Sequence, residues 1–372
     1  MSFAKELASW PEERLRQLIN SATLTDVSRA LAREQHFPED LAALLSPAAA
    51  SRLEDMAQMA HRLTRRFFGR TIGLYVPLYL SNLCTADCTY CGYAMRSGHP
   101  GIRRTLTADE IRSECQVLAA QGFQNVLLLT GDAPKVTPPE YIAAAISIAR
   151  EYFASVSVEV YALDEVGYQR LVASGLEGVT LYMETYHRPT YAQVHQHGRK
   201  KDFDYRLQAS ERAGRAGVRR LGVGALLGLY DWRLEGFWVA LHARYLQKEC
   251  WQSAVSISFP RLRHAPVRHI VHYPLEDREL VQLMLALRIF LPEAGFNLST
   301  RERAPLRDCL ISLGVTMMSA GSSTRPGGYA HPDEETLQQF EIEDRRMAST
   351  TSAGLRRSSI SNCCRVSSSG CA

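Results

Sequence analysis

Pro77-Leu-Tyr-Leu-Ser-Asn-Leu-Cys84-Thr-Ala-Asp-Cys88-Thr-Tyr-Cys91-Gly92-Tyr93 gathers three cysteines into one short loop, spaced C-x3-C-x2-C. The apolar run Ile72 to Leu80 leads into them and reads as a buried strand. Asn82, Gly92 and the polar residues between the cysteines read as loop. Three thiolates therefore sit at a strand end, close enough to hold one metal centre. A structural zinc takes four protein ligands, whereas an iron–sulfur cubane held by only three keeps one iron open for a further ligand. Cys115, the next cysteine, lies well into the following helical pattern.

Working outward, short apolar runs alternate with amphipathic segments. Strands are predicted at Ile72–Leu80, Asn125–Thr130, Ser155–Tyr161, Gly178–Tyr182, Arg220–Leu226, Ser253–Phe259, Gly295–Ser299 and Val315–Met318. Helices are predicted between them, near Ala108–Ala120, Pro139–Tyr152, Asp164–Ala173, Phe203–Ala216, Glu235–Gln247, Asp277–Leu291 and Arg303–Leu313. Thr107 and Glu110 have capping-box spacing at the first of these. Eight strands alternating with helices give an α/β chain with a parallel (β/α)8 TIM-type barrel, an open doubly wound sheet being the alternative. The expected organisation is a helical extension over 1–70, the barrel over 71–320, a barrel-associated segment over 321–346 and a low-complexity, disordered tail over 347–372. In that tail Cys363, Cys364 and Cys371 read as incidental thiols, since adjacent cysteines strain to share one ion.

A barrel carries its active site at the C-terminal ends of its strands. Those positions hold the three cysteines, Gly131-Asp132, Glu159 with Tyr161, Glu184 with Tyr186, Gly224, Pro260-Arg261 with Arg263, Thr300-Arg301-Glu302, and Ser319. Polar groups recur at nearly every strand end, as a polar ligand site would require. Gly222-Val-Gly224-Ala-Leu-Leu-Gly228 has G-x-G-x3-G spacing, which departs from the dinucleotide fingerprint, and is read as close backbone approach to an adenine. The basic loop with His264, His269 and His272 reads as solvated, as do His195 and His197.

The chain has 372 residues, a formal charge of +4 and nine cysteines. That charge is weak for a nucleic-acid or anionic-membrane partner, and the cysteines are too sparse for a secreted disulfide scaffold. No stretch has the apolar length to span a bilayer, and the first residues are not a signal peptide. The expectation is a cytoplasmic protein with free thiols.

Cys84, Cys88 and Cys91, with Tyr90 just before the last, resemble the cluster motif of the radical S-adenosylmethionine superfamily. The resemblance implies a 4Fe-4S cluster whose open iron binds S-adenosylmethionine. It also implies that Tyr90, Gly131, Asp132, Glu159 and Gly224 contact the cofactor. Asp132 stands where the superfamily has a Glu that holds the methionine amine, and Glu159 where an acid meets the ribose hydroxyls. Tyr75 to Cys84, Tyr182-Met-Glu184-Thr-Tyr186-His187, Ser258-Phe-Pro-Arg261-Leu-Arg263, Leu298-Ser-Thr-Arg301-Glu302 and Arg325-Pro-Gly-Gly-Tyr329 narrow this resemblance. They are similar to the thiazole-biosynthesis tyrosine lyases, from about residue 10 to Arg346. That family cleaves the Cα–Cβ bond of L-tyrosine to 2-iminoacetate (dehydroglycine) and 4-methylphenol. The resemblance assigns Arg301 to the substrate carboxylate and Tyr79 to the substrate side. Glu184 is assigned to an amine contact or a proton relay. It implies a thiazole synthase partner and an external electron donor such as flavodoxin or ferredoxin. Four rivals remain at this stage. They are the hydrogenase-maturation tyrosine lyases, which carry a second cluster on a C-terminal C-x2-C that is missing here, the deazaflavin-forming enzymes, the tryptophan lyases, and a non-catalytic zinc module using Cys115.

Overall fold

The computed structural model describes residues 2–96, 98, 101–262 and 271–347. Five helices come first: α1 (Phe3–Ala8), α2 (Glu12–Ser21), α3 (Leu24–Ala32), α4 (Pro38–Leu45) and α5 (Leu53–Phe68). Eight strands follow: β1 (Gly73–Ser81), β2 (Asn125–Thr130), β3 (Ser155–Glu159), β4 (Gly178–Thr180), β5 (Arg220–Gly224), β6 (Ala254–Ser258), β7 (Gly295–Leu298) and β8 (Met317–Ser319). Between them run α6 (Ala108–Ala120), α7 (Pro139–Arg150), α8 (Glu165–Ala173), α9 (Arg188–Val194), α10 (Phe203–Leu207), α11 (Ala209–Arg215), α12 (Trp232–Glu249), α13 (Asp277–Phe290) and α14 (Ala304–Leu310). The strands close into one parallel barrel in sequence order, with Gly73, Leu74 and Tyr75 of β1 paired to Met317, Met318 and Ser319 of β8. The open doubly wound alternative is thereby excluded.

Local chemistry accounts for the elements that position the site. Thr107 and Glu110 form the predicted capping box at α6, the Thr107 N–H reaching Glu110 Oε2 at 2.7 Å. β1 carries a register shift between Tyr79 and Ser81 against β2, just ahead of Cys84. Such a break ends regular pairing and lets the chain turn across the barrel mouth. The extension packs outside the barrel: Leu41, Leu44 and Leu45 of α4 are fully buried, and Gln282 on α13 donates to the carbonyls of Leu44 and Ser46.

After β8 the chain returns over the mouth. The Tyr329 hydroxyl donates to the Pro77 carbonyl at 2.6 Å, and Glu114 on α6 accepts the N–H groups of Tyr329 and Ala330. Asp344 is buried against Arg307 of α14, and the Glu343 and Asp344 N–H groups both reach the Thr300 carbonyl at 3.1 Å. The predicted low-complexity tail lies outside the described residues, apart from Met347.

Candidate active site

The cysteine loop is clamped from three sides. From the turn after β2, the Asp132 carbonyl accepts the Thr85 N–H at 2.7 Å, and the Asp132 N–H approaches Cys84 Sγ at 3.4 Å. From α9, the Val194 carbonyl accepts the Thr89 N–H at 3.1 Å. From the returning segment, the Gln339 carbonyl accepts the Gly92 N–H at 3.1 Å. Asn82 pins the approach to the loop, donating to the carbonyls of Ile102 and Leu337 and accepting the Arg104 N–H. Gly131 is required sterically, because a Cβ there would lie 2.1 Å from the Leu83 carbonyl oxygen and 3.0 Å from Cys84 Cβ.

Burial pushes the thiols up, Cys84 to about 11 and Cys88 to about 12, and the three sulfurs repel one another as anions. Deprotonated together, they need a cation to share. Among the described residues no three His, Cys, Asp or Glu side chains form a group that would seat a single metal ion. Each thiolate of a cubane binds a different iron, so three soft donors on one tight loop fit a cluster. Cys115, the fourth ligand of the zinc reading, is fully buried on α6 within the outer core. Two acceptors at the end of β2, Thr130 Oγ1 and Asp132 Oδ1, are buried without a hydrogen-bond partner. The orphaned carboxylate oxygen of Asp132, next to Cys84, fits a ligand that brings donors, as an ammonium group does.

Next to the loop lies a cavity whose wall includes Tyr90, Cys91, Glu159, Glu184 and Arg301. Five predicted site residues thus meet at one chamber. Lys200, Tyr182, Gln339, Phe340 and Glu341 complete its polar and aromatic lining. Lys200 Nζ donates to Glu184 Oε1 at 2.7 Å, and Arg206 lies 3.7 Å from the same oxygen. Burial works to raise the Glu184 carboxyl, but Lys200 and Arg206 outweigh it and hold it below its usual range. Glu159 lacks so close a cation; burial and then Glu184 push it up to about 7. The Arg301 guanidinium lies 3.5 Å over the Phe340 ring and has no carboxylate partner among the described residues.

Other expected residues stand elsewhere. Tyr79 lies beside the loop, its hydroxyl donating to Gln339 Oε1 at 2.6 Å and its ring edge-on to Tyr93. Gly224 is packed by the chain itself: a Cβ there would lie 2.7 Å from the Ser258 carbonyl oxygen and 3.0 Å from the Tyr182 ring. The space a side chain would take at Gly224 is held by Tyr182. Arg261 is a structural ion-pair partner, bound to Glu302 and Asp277. His195 is the clearest correction. It is buried, not solvated, and its Nε2 lies 2.7 Å from the Tyr90 hydroxyl. Of the basic loop, His264 and His269 lie outside the described residues. Lys200, Arg206 and Gln339 were missed because nothing local marks them; Lys200 reads as part of a basic run, Arg199-Lys200-Lys201.

Comparison with known proteins agrees with this geometry. Residues 78–242 match the Radical SAM superfamily, and residues 258–360 match the Biotin and Thiamin Synthesis associated domain. The chain is 44% identical over 349 residues to the 2-iminoacetate synthase of Escherichia coli strain K12, covering 93% of this chain and 91% of that one. It is 44% identical over 347 residues to the 2-iminoacetate synthase of Salmonella typhimurium strain LT2, with the same coverage. Among solved structures, the FeFe-hydrogenase maturase HydG superposes with a TM-score of 0.85 at 33% identity, over 92% of this chain and 78% of that one. The cysteine loop, the barrel that presents it and a near full-length match lead to one conclusion: the chain belongs to the 2-iminoacetate synthase family of radical S-adenosylmethionine enzymes.

Proposed function

We propose that the chain is a carbon–carbon lyase that cleaves the Cα–Cβ bond of L-tyrosine to 2-iminoacetate and 4-methylphenol, using a 4Fe-4S cluster and S-adenosylmethionine. Family membership carries the reaction. The observation that carries its location is the single chamber where Cys91, the Glu184–Lys200 pair and Arg301 meet. Cys84, Cys88 and Cys91 would hold the cluster, which with S-adenosylmethionine would supply radical hydrogen-abstraction chemistry.

The chain's own residues then bind, orient and exclude water. Glu184 and Lys200 are an acid and a base side by side, matched to the amino and carboxylate groups of the cofactor's methionine end. Asp132 adds a buried acceptor for the same amine. Glu159 is suited to the ribose hydroxyls, whose hydrogen bonds would draw its carboxyl back toward the ionised form. Arg301, stacked on Phe340 and free of a carboxylate partner among the described residues, is suited to clamp the tyrosine carboxylate. Leu226, Pro260, Leu262 and Phe340 line the rest of the chamber and limit water around a radical. We assign Tyr79 to holding the mouth segment through Gln339.

Two electrons and a proton enter per turnover from outside the chain, one electron to split the sulfonium and one, with the proton, to reduce the departing hydroxybenzyl radical to 4-methylphenol; flavodoxin or ferredoxin is the proposed donor. An imine hydrolyses in water, which supports direct transfer of 2-iminoacetate to a thiazole synthase. No helix among the described residues is long and apolar enough to cross a membrane. No disulfide joins the six cysteines among the described residues, three of which are assigned to the cluster, and this supports a reducing cytoplasmic setting. The test is anaerobic reconstitution with iron, sulfide and a reductant, followed by product analysis with tyrosine or tryptophan. 4-Methylphenol from tyrosine is expected; cleavage of tryptophan alone would overturn the substrate assignment.

A further inference from the structure

The turn after β4 holds the one left-handed backbone found at a non-glycine position among the described residues: Glu184, with φ +68°. That conformation presses Cβ against the next carbonyl, so a side-chain-bearing residue keeps it only where its surroundings impose it. One restraint comes from the chain just after β5. Glu184 bridges in parallel to Ala225, and its carbonyl accepts the Leu226 N–H at 2.7 Å. The other comes from Glu235, fully buried in the first turn of α12. Its carboxylate accepts the Tyr186 N–H at 2.9 Å through Oε2 and 3.2 Å through Oε1, and it also accepts the Thr185 hydroxyl. Thr185 Oγ1 in turn accepts the His187 N–H at 3.1 Å.

A fully buried carboxylate ordinarily has a cation beside it. The charge bearing on Glu235 is instead Asp231, of the same sign, and its close donors are neutral groups of the segment just after Glu184. Its place in the first turn lets it complement the helix dipole, but full burial without a counter-ion costs a carboxylate more than that gain returns. What it does supply is a two-oxygen acceptor for the backbone next to the strained residue.

We infer that Glu235 is a positioning residue: it grips Thr185-Tyr186 so that Glu184 stays left-handed, with its carboxylate turned to Lys200 at the chamber wall. Without that grip the turn relaxes toward an unstrained backbone. The Cα–Cβ bond of Glu184 then swings away from Lys200, and the paired acid and base are lost together. Glu235 touches neither cofactor nor substrate; it acts through Glu184.

The inference rests on assigning Glu184 to the cofactor's methionine end, and the experiment separates the two claims. S-adenosylmethionine affinity is measured on cluster-loaded wild type, E235Q, E184Q and E184Q/E235Q, from the change in the reduced cluster's electron paramagnetic resonance spectrum. Amide hydrogen exchange at Thr185 to His187 is measured alongside. E235Q is expected to weaken binding about tenfold or more and to speed exchange at Tyr186. The double variant is expected to bind no more weakly than E184Q, because a residue acting through Glu184 has nothing to add once that carboxylate is gone. A merely structural role would instead add its loss to that of E184Q, which would overturn the inference, as would wild-type affinity and exchange in E235Q. E184Q with wild-type affinity would overturn the Glu184 assignment, and exchange at Tyr186 alone would then decide for or against Glu235. If E235Q does not fold, T185V removes an anchor of the same turn and is read in the same way.

Discussion

Glu184 and Glu235 lie on neighbouring elements, yet their carboxyls shift in opposite directions. Both are desolvated, but Lys200 and Arg206 hold Glu184 below its usual range, while Glu235 has only neutral donors and rises to about 7. Below its ordinary value of 4.5, Glu235 is protonated whether the chain is folded or not. Between 4.5 and about 7 the folded state holds the proton that the unfolded state has lost, so stability falls as pH rises and then levels off. Glu235→Gln does not titrate. Relative to wild type it should therefore gain stability between about pH 4.5 and pH 7, by at most about 3 kcal/mol, superimposed on a constant offset from altered hydrogen bonds. Urea unfolding across this range measures it, and a flat difference would contradict the burial argument. At this scale the sequence was uneven. The cysteines announce themselves because a cluster motif is local. Lys200, Arg206 and Glu235 do not, because their partners lie on other strands and loops and only barrel register brings them together. His195 misled because a histidine in a polar stretch gives no sign that Tyr90 will bury it.

Among the elements, those with a sustained period were legible. β2 and α6 match their predicted bounds, since a continuous apolar run and a capping box are encoded within the respective segments. β4 and β8 shrink to three residues each, because strand pairing, which a single run does not reveal, sets where they end. The predicted helix over Phe203–Ala216 is divided at Gln208 into α10 and α11. α9 went unseen: seven residues with Pro189 at the start give little periodicity, yet its end clamps the cysteine loop through Val194. The β2 end makes a sharp prediction. Gly131→Ala sets a methyl group against the Leu83 carbonyl, a backbone atom that cannot step aside by changing rotamer. The variant should lose about 1–3 kcal/mol of stability and reconstitute with less iron per chain. Wild-type iron loading would show that the loop tolerates displacement there.

For the whole molecule, the barrel supplies the platform and the segment after β8 closes it. Gln339 and Phe340 wall the chamber, and the buried Arg307–Asp344 pair ties their segment to α14. Asp344→Asn leaves Arg307 buried and uncompensated, which should cost about 3 kcal/mol. With the mouth loosened, 5′-deoxyadenosine should form in excess over 4-methylphenol; an unchanged ratio would show that this segment does not seal the chamber. The alternation of strands and helices made the closed barrel legible from sequence, whereas the mouth segment shows no regular period and its path emerges only in three dimensions. The account as a whole depends on Cys84, Cys88 and Cys91 holding one cluster with an open iron. The most direct measurement is 5′-deoxyadenosine formation, with iron and sulfide content, in anaerobically reconstituted wild type and in three variants that each replace one of these cysteines with Ala. Formation is predicted in the wild type and abolished in all three variants, whereas wild-type turnover by any one of them would contradict the account.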